Sequence, residues 1–264
     1  MPKISVIMAA WNEQKIFLKK SIESILNQTF TDLEFIIIDN NSPEENSALL
    51  DSYAKKDNRI IIIRNKTNIG LTKSLNIAIK KSQGEFIARM DGDDISLPDR
   101  LSEQLSFLKK NPTIDIIGAN CNFINKNDEI IKKKTIKRPS NIKTKLFKGN
   151  FFTHSTFFGK RKAFEELYNE NFKRAQDYEF LLRLAGKGYE IDYLEDILLN
   201  YRINKDGVSF VNSKEQELFS LKARIIAILN YNYNPLLFPY ILKGALSFLL
   251  PCKLKHLINF KALL

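Results

Sequence analysis

The first 110 residues repeat one pattern four times: a short apolar run, a polar cluster, then an amphipathic segment. The apolar runs lie at residues 3–8, 33–38, 59–63 and 85–90, rich in the Ile, Val and Phe that suit buried strands. Residues 14–28, 44–55, 71–81 and 98–110 space their apolar side chains mostly as helices do, with Pro43 and Pro98 at two helix starts. Strand–helix alternation implies right-handed crossovers. The expected fold is therefore α/β: a mostly parallel, Rossmann-like sheet with helices on both faces.

The second half is less regular. Residues 115–121, 151–158, 189–194 and 198–203 read as strands, residues 126–137 as an exposed hairpin, and residues 176–184 as a helix closed by Gly186 and Gly188. There is no Gly/Ser linker and no repeat, so the expectation is one domain over residues 1–212, in two halves of 1–110 and 111–212, followed by a helical tail at 213–264.

The tail is chemically distinct. After Glu217 it has no acidic residue, but it keeps Lys222, Arg224, Lys243, Lys253, Lys255 and Lys261 among many apolar residues. Its most apolar stretch, 235–252, is interrupted by Pro239 and Lys243 and falls short of the ~20 residues that span a bilayer. A helix lying on an anionic membrane surface fits this pattern better than one crossing it. The alternative is a helix packed on the core with solvated lysines.

Net charge narrows the partners. Forty-one Lys and Arg against thirty Asp and Glu give +11, which calls for an anionic partner: nucleic acid, an acidic membrane surface or a phosphorylated small molecule. A chain that is 44% hydrophobic and 27% charged is not a disordered one. Two cysteines cannot make a disulfide framework, which points to a reducing compartment.

The polar clusters decide where chemistry would sit. Ala9-Ala10-Trp11-Asn12-Glu13, Asp39-Asn40-Asn41-Ser42, Asn65-Lys66-Thr67-Asn68-Ile69-Gly70 and Asp91-Gly92-Asp93-Asp94 each follow one strand. In an open parallel sheet these strand ends share the edge at which ligands bind. Three carboxylates in four residues repel one another and suit a hard cation, Mg²⁺ or Mn²⁺, which completes its shell with water and phosphate oxygens. An acidic turn with Asp94 capping the next helix is the plainer reading of that cluster. Carboxylates crowded on the ligand edge argue against nucleic acid, whose phosphates they would repel.

The order and spacing of these clusters resemble a GT-A fold glycosyltransferase of family 2. Ala9 to Glu13 resembles the family's degenerate first-strand motif, Asp39-Asn40-Asn41-Ser42 its Asp-Asp/Asn-Gly/Asn-Ser motif, and Asn68-Ile69-Gly70 its Asn-x-Gly loop. Gly84-Glu85-Phe86-Ile87 followed by Asp91-Gly92-Asp93-Asp94 resembles its Asp-x-Asp-Asp run. The resemblance implies a nucleotide-sugar half over residues 1–110 and an acceptor half over 111–212. It implies that Asp39 accepts the uracil N3–H of a UDP-sugar, and that Ala9, Trp11 and Glu13 line the nucleoside pocket with Asn41, Asn68 and Gly70. Asp91 and Gly92 would lie by the ribose or diphosphate, Arg89 would reach the nucleotide, and Asp93, with Asp91 more weakly, would hold the metal.

Inverting transfer also needs a base for the acceptor hydroxyl. Gln176-Asp177-Tyr178-Glu179-Phe180-Leu181-Leu182-Arg183 resembles the family's helix of that role, making Asp177 the base. Asp at a helix start is otherwise a common cap, and a helix N-terminus favours its ionised, weaker form. The segment from Thr153 to Phe158 resembles the family's His-containing strand and brings His154 to the acceptor side, although a lone His is most often structural. Leu199-Asn200-Tyr201-Arg202-Ile203-Asn204 resembles its Tyr-Arg-x-His element, with Arg202 and Asn204 on the diphosphate or acceptor side and Asn204 in place of the His. The only Trp is Trp11, so the Gln/Arg-x-x-Arg-Trp signature of processive enzymes is missing and one sugar per acceptor is expected.

The resemblance thus implies a metal-dependent inverting transferase that moves a sugar from a UDP-sugar to a glycan or lipid-linked glycan in surface polysaccharide assembly. It would work in the cytoplasm, peripheral to the inner face of the cell membrane, with Mn²⁺ or Mg²⁺. The alternatives are a nucleotidyltransferase, which lacks its Gly-rich, Arg-containing first loop here, and an inactive nucleotide-sugar-binding protein.

Overall fold

The computed structural model of the protein describes residues 1–203 and 213–249. The N-terminal half forms β1 (Ile4–Ala10), α1 (Lys15–Leu26), β2 (Leu33–Asp39), α2 (Glu44–Ala54), β3 (Ile60–Arg64), α3 (Leu71–Lys81), β4 (Phe86–Arg89), β5 (Ile95–Ser96) and α4 (Arg100–Lys110). The second half adds β6 (Ile116–Ile124), β7 (Ile130–Lys134), α5 (Ile142–Lys148), β8 (Phe158–Lys160), α6 (Arg161–Phe164), α7 (Gln176–Gly186) and β9 (Ile191–Arg202). Two helices close the described chain, α8 (Ser213–Asn230) and α9 (Phe238–Leu249).

Among the described residues the strands form one nine-stranded sheet in the order β3-β2-β1-β4-β8-β6-β9-β5, with β7 paired to β6. The first four strands are all parallel and sit in the order 3-2-1-4. The chain reverses its direction of travel across the sheet between β1 and β4, which opens a crevice beyond their carboxyl ends. The parallel character stops there. β8 runs antiparallel to β4 and β6, β7 to β6, and β5 to β9, while β6 and β9 remain parallel. The hairpin between β6 and β7 permits only antiparallel pairing, since a parallel pair needs a long crossover.

Side-chain alternation along β1 feeds two cores, because successive strand residues face opposite sides of the sheet. Val6 and Met8 pack with Leu18 and Ile22 of α1 and Leu101 and Leu105 of α4. Ile7 packs on the other side with Leu75 and Ile79 of α3 and Phe180 and Leu184 of α7.

Two expectations from the sequence are corrected, and one helix is added to them. Residues 151–158 are not a strand: a single 3₁₀ turn occupies His154–Thr156, and only Phe158 onwards joins the sheet as β8. The turn wins because Thr156 folds back, its N–H and its Oγ1 both donating to Thr153 O at 2.9 and 2.7 Å. Residues 189–194 and 198–203 are parts of one strand, β9, whose register slips opposite Ala119 to Cys121. The lysine-rich connection after β7 contains a helix, α5, capped by Asn141, whose side chain accepts from Thr144 N–H.

The tail packs on the core and also leaves a face uncovered. Ala223, Ala227, Tyr233 and Ile241 are buried in the same core as α7. Arg224 Nε donates to Tyr178 Oη at 3.1 Å, and Tyr231 Oη donates to the buried Glu179 Oε1 at 2.8 Å. A Cβ on Gly186 would stand 2.2 Å from Tyr231 O, so the chain after α8 crosses α7 only at a glycine. Leu218, Ile225 and Leu229 of α8 and Leu236, Phe238 and Leu242 beyond it stay exposed. Among the described residues no helix is long and apolar enough to cross a membrane.

Candidate active site

Four loops meet at the carboxyl ends of β1 to β4, and hydrogen bonds tie them together. Asp39 ends β2, is buried, and accepts from Ser42 N–H at 2.9 Å and Ser47 Oγ at 2.7 Å, with Arg64 Nε at 3.3 Å. Burial pushes its pKa up, but these hydrogen bonds and the Arg64 charge outweigh it and hold the carboxyl below its usual range. Asp39 is therefore an ionised acceptor. The next residue, Asn40, joins β2 to the loop before α3. Its Nδ2 donates to Asn68 Oδ1 at 2.7 Å, and its Oδ1 accepts from Asn65 Nδ2 and Ile69 N–H, both at 3.0 Å. Asn68 Oδ1 also accepts from Gly70 N–H, at a residue whose φ of 87° favours glycine. Asn41 is exposed, in the left-handed region.

The loop after β1 lies against the acidic turn. Glu13 accepts from Trp11 N–H at 2.8 Å, and Trp11 projects its ring to solvent, 47% exposed. A Cβ on Gly92 would come within 3.1 Å of the Glu13 side chain, so the glycine lets the two loops touch. Burial raises the Glu13 pKa, and the charges of Asp91 and Asp39 add to it. Asn46 of α2 donates to Glu13 O at 2.8 Å and fixes this contact from the helix side. Ala9 is partly buried one residue before the end of β1.

Asp91, Asp93 and Asp94 each offer an oxygen, all within 4.8 Å of one another. They differ in how they are held. Asp91 forms a two-pronged ion pair with the buried Arg89 guanidinium, and Ser155 Oγ lies 2.9 Å from it. Asp94 is buried, bonds Ser155 Oγ, and accepts Arg202 N–H at 2.8 Å. It therefore does not cap α4. Burial, then repulsion from Asp91 and Glu13, pushes Asp93 up to about 7, and Asp94 is raised by burial and by Asp93 and Asp91. A hard divalent cation offsets both the burial and the mutual repulsion that raise these carboxylates, so this donor set fits Mg²⁺ or Mn²⁺.

Buried arginines frame the acidic turn. Arg89 is committed to Asp91 and to Ser155, with Nη1 donating to Ser155 Oγ at 3.1 Å. Arg100 supports it from below, donating to Arg89 O at 2.6 Å and Gln104 Oε1 at 3.1 Å, and burial beside Arg89 lowers its pKa to about 9. Arg202 holds the turn's backbone rather than facing an open crevice. Nε donates to Asp93 O at 2.8 Å, Nη1 to Asn125 O at 2.7 Å, and Nη2 pairs with Asp128 at 2.6 Å. Asn204 lies outside the described residues.

The start of α7 faces the same region. Asp177 is the second residue of that helix, one past the first turn's opening, and Ala175 holds the cap position in a left-handed conformation. Asp177 Oδ2 accepts from Asn150 Nδ2 at 2.7 Å. Burial raises its pKa, against the lowering pull of the Tyr178 N–H, the Asn150 bond and the Arg89 charge. Desolvation thus outweighs the helix N-terminus, which makes Asp177 a stronger proton acceptor than an ordinary carboxylate. His154 points elsewhere: its Nε2 bonds Tyr168 Oη at 2.8 Å, its ring packs edge-on to Phe157, and burial and Arg89 drive its pKa well below the usual value. It is a neutral ring held by its own neighbours in the second half of the chain.

The family Glycosyl transferase family 2 matches this chain over residues 5–168, which include all four loops. The chain is a family 2 glycosyltransferase. A curated glycosyltransferase of Methanocaldococcus jannaschii is 38% identical over 223 residues, covering 83% of this chain and 77% of that protein. The Escherichia coli O-antigen biosynthesis glycosyltransferase WbnJ is 38% identical over 207 residues, covering 76% and 80%. Among solved structures, S. aureus TarS in complex with UDP-GlcNAc superposes with a TM-score of 0.73 at 18% identity, covering 93% of this chain and 72% of that one. The Pyrobaculum calidifontis mannosyltransferase PcManGT, in complex with GDP-Man and Mn²⁺, superposes at 0.70 and 17%, covering 94% and 70%.

The enzyme has the GT-A fold, and its family membership removes the nucleotidyltransferase and inactive-protein alternatives. Five residues that shape the crevice are not individually legible in the sequence: Asn40, Asn46, Arg100, Asn150 and Ser155. Asn40 and Ser155 lie within motif segments. The others carry no local signal, because their partners lie 11 to 33 positions away.

Proposed function

We propose that this glycosyltransferase transfers one sugar, with inversion, from a UDP-sugar to a glycan or lipid-linked glycan in surface polysaccharide assembly. The observation that carries the reading is the meeting of an ionised buried acceptor, Asp39, with the raised acidic triad at adjacent strand ends. The relative named for O-antigen biosynthesis and the neighbours bound to UDP-GlcNAc or to GDP-Man and Mn²⁺ support it.

Asp39 takes the uracil N3–H on its remaining lone pairs, with Ala9, Trp11, Glu13, Asn41, Asn68 and Gly70 around the nucleoside. Gly92 allows the diphosphate close to the backbone. Asp93, whose carboxylate is the least committed of the three, is the principal metal ligand, and Asp91 and Asp94 set its field. Bound Mn²⁺ or Mg²⁺ supplies charge neutralisation for the leaving diphosphate. Arg89 acts through Asp91, and Arg202 acts through the backbone of Asp93. Asp177 takes the proton of the acceptor hydroxyl as its oxygen bonds to the anomeric carbon. The bond from that carbon to the diphosphate oxygen breaks, and its electron pair leaves with UDP.

The functional division retains a catalytic unit at 1–212 and a membrane-facing element at 213–264. The exposed apolar face of α8 and α9 beside Lys222 supports peripheral attachment to an anionic inner leaflet from the cytoplasm. UDP release from a panel of UDP-sugars, with Mn²⁺ and with chelator, tests the reading. One donor should be turned over only with metal. Asp177→Asn should lower transfer by about 10²–10⁴-fold while leaving UDP affinity unchanged. Metal-independent turnover, or full activity in Asp177→Asn, would overturn it.

A further inference from the structure

Most of the chain's excess charge sits in one segment. Residues 126–148 hold nine basic and two acidic residues, a net +7 of the chain's +11. Both acids are already engaged: Asp128 pairs with Lys20 and Arg202, and Glu129 accepts from Asn125. This segment runs through β7 and α5 to Asn150, the residue bonded to Asp177.

Several of its cations have structural partners. Arg138 pairs with Asp192, and Lys143, Lys145 and Lys148 lie over the rings of Tyr233, Phe151 and Tyr240 at 4.9, 5.2 and 5.0 Å. Lys134 is different. The residues before it in β7 are exposed, whereas Lys134 turns inward and is half-buried. Its ammonium donates to Thr153 Oγ1 at 2.9 Å and forms no ion pair among the described residues. Burial lowers its pKa, and Cys121 first and Asp177 after it pull it back up. An ammonium has three donors, so two are left to meet a ligand beside the proposed base.

We propose that this segment, with Lys134 at its inner end, binds a phosphate group of the acceptor, so that the enzyme glycosylates a phosphate-bearing glycan. The inference rests on the glycosyltransferase reading above. A phosphate oxygen satisfies the free donors of Lys134 and the charge they carry. Lys132 and Lys133, exposed on the same strand, extend the positive field outwards along a longer anionic acceptor. A flat bilayer would meet those exposed lysines but not the inward ammonium. The phosphate can come from a diphosphate at the acceptor's reducing end or from a phosphodiester within a polymer.

Calorimetry on the full chain separates these. UDP is first titrated in with Mn²⁺, so that the nucleotide loops are filled. N-acetylglucosamine 1-phosphate, the 6-phosphate of methyl N-acetylglucosaminide, and methyl N-acetylglucosaminide itself are then compared. Tighter binding of the 1-phosphate indicates a reducing-end phosphate, and tighter binding of the 6-phosphate an internal one. Either should bind better than the neutral glycoside, and less well as salt rises. Lys134→Met should weaken it by about tenfold, the effect of one charge-assisted hydrogen bond. Lys134→Arg should retain most of it, and Lys55→Met, an exposed lysine at the end of α2 outside this segment, should change little. Equal binding of all three sugars by the unmodified protein, or equal losses in Lys134→Met and Lys55→Met, would overturn the proposal without requiring either variant to fold perfectly. So would unchanged sugar-phosphate binding in Lys134→Met together with lost sedimentation on phosphatidylglycerol vesicles, which would make the segment a lipid contact. A failure of UDP to bind would instead remove the nucleotide-sugar reading, and the comparison at Lys134 would still stand.

Discussion

Asn150 Nδ2 donates to Asp177 Oδ2 at 2.7 Å, so a residue two positions past α5 biases the charge of the carboxylate in the first turn of α7. A bond donated to a carboxylate favours its ionised form. Burial works in the opposite direction and dominates, leaving Asp177 with a raised pKa. A base must be deprotonated to act, so transfer should rise with pH through the Asp177 pKa, above the usual carboxylate range. Asn150→Ala removes one of the bonds that lower that pKa. Its acid limb should therefore move to higher pH, with the rate lost at acid pH and recovered at alkaline pH. The measurement is kcat against pH at saturating donor and acceptor. An unmoved acid limb would separate Asn150 from the charge of Asp177.

Asp93 carries a stability signature of its own. With metal chelated, its pKa of about 7 stands above the ordinary 3.8, because of burial first and the Asp91 and Glu13 charges after it. The folded state then binds a proton more tightly than the unfolded chain does. That contribution is fully present below about pH 4 and is lost as pH rises through about 7. Asp93→Asn keeps the shape and never acquires the charge. In chelator its melting temperature should exceed that of the unmodified enzyme at pH 8, and the gap should close towards pH 4. Added Mn²⁺ should stabilise the unmodified enzyme and not the variant. A melting temperature unaffected by Asp93→Asn at pH 8 would contradict the repulsion.

Arg202 joins three segments that are distant in sequence: the acidic turn through Asp93 O, the β6–β7 hairpin through Asn125 O and Asp128, and α1 through the Phe17 ring at 4.0 Å. Its side chain is 1% exposed. Removing one partner of a buried ion pair costs about 3–5 kcal/mol. Arg202→Met should unfold at much lower denaturant concentration. Arg202→Lys should recover little, since one ammonium cannot span three acceptors held by a planar fork. Full stability in the Lys variant would show that charge alone suffices.

The elements that could be read directly were those with a local cause. Ile4 to Ala10 and Leu33 to Asp39 are apolar runs ended by polar turns, and the helices between them follow a simple period. Parallel pairing of such runs places Asp39 and Asp91 on one edge of the sheet. Thr153 to Phe158 misled because its apolar and β-branched residues favour a strand, whereas the Thr156 side chain found a backbone acceptor three residues back. The position of Arg202 in a motif was legible, but its task was not. Its acceptors are backbone oxygens 77 and 109 positions away, and no spacing rule reaches that far. Ser155, between Asp91 and Asp94, is hidden for the same reason.

The tail can be tested without disturbing the core. Deleting it at Asn212 would strip Ala223, Ala227, Tyr233 and Ile241 from the core around α7 and break the Arg224–Tyr178 and Tyr231–Glu179 bonds. A lost vesicle signal would then say nothing about lipid. Ile225, Leu229 and Phe238 lie on the exposed side instead, at 39%, 74% and 50% exposure. Replacing all three by Ser removes the apolar surface they show to solvent, and with it the part of Ile225 and Phe238 that the fold covers. Full burial of one such side chain is worth about 1.5–3 kcal/mol, so even partial insertion of three should change the membrane partition coefficient about tenfold or more. Ile225→Ser, Leu229→Ser and Phe238→Ser together should lower the melting temperature only modestly, keep the UDP affinity of the enzyme and lose sedimentation with phosphatidylglycerol vesicles. High salt should weaken what remains, since Lys222 contributes through the surface potential. Undiminished sedimentation by the triple variant would dissociate this face from the membrane.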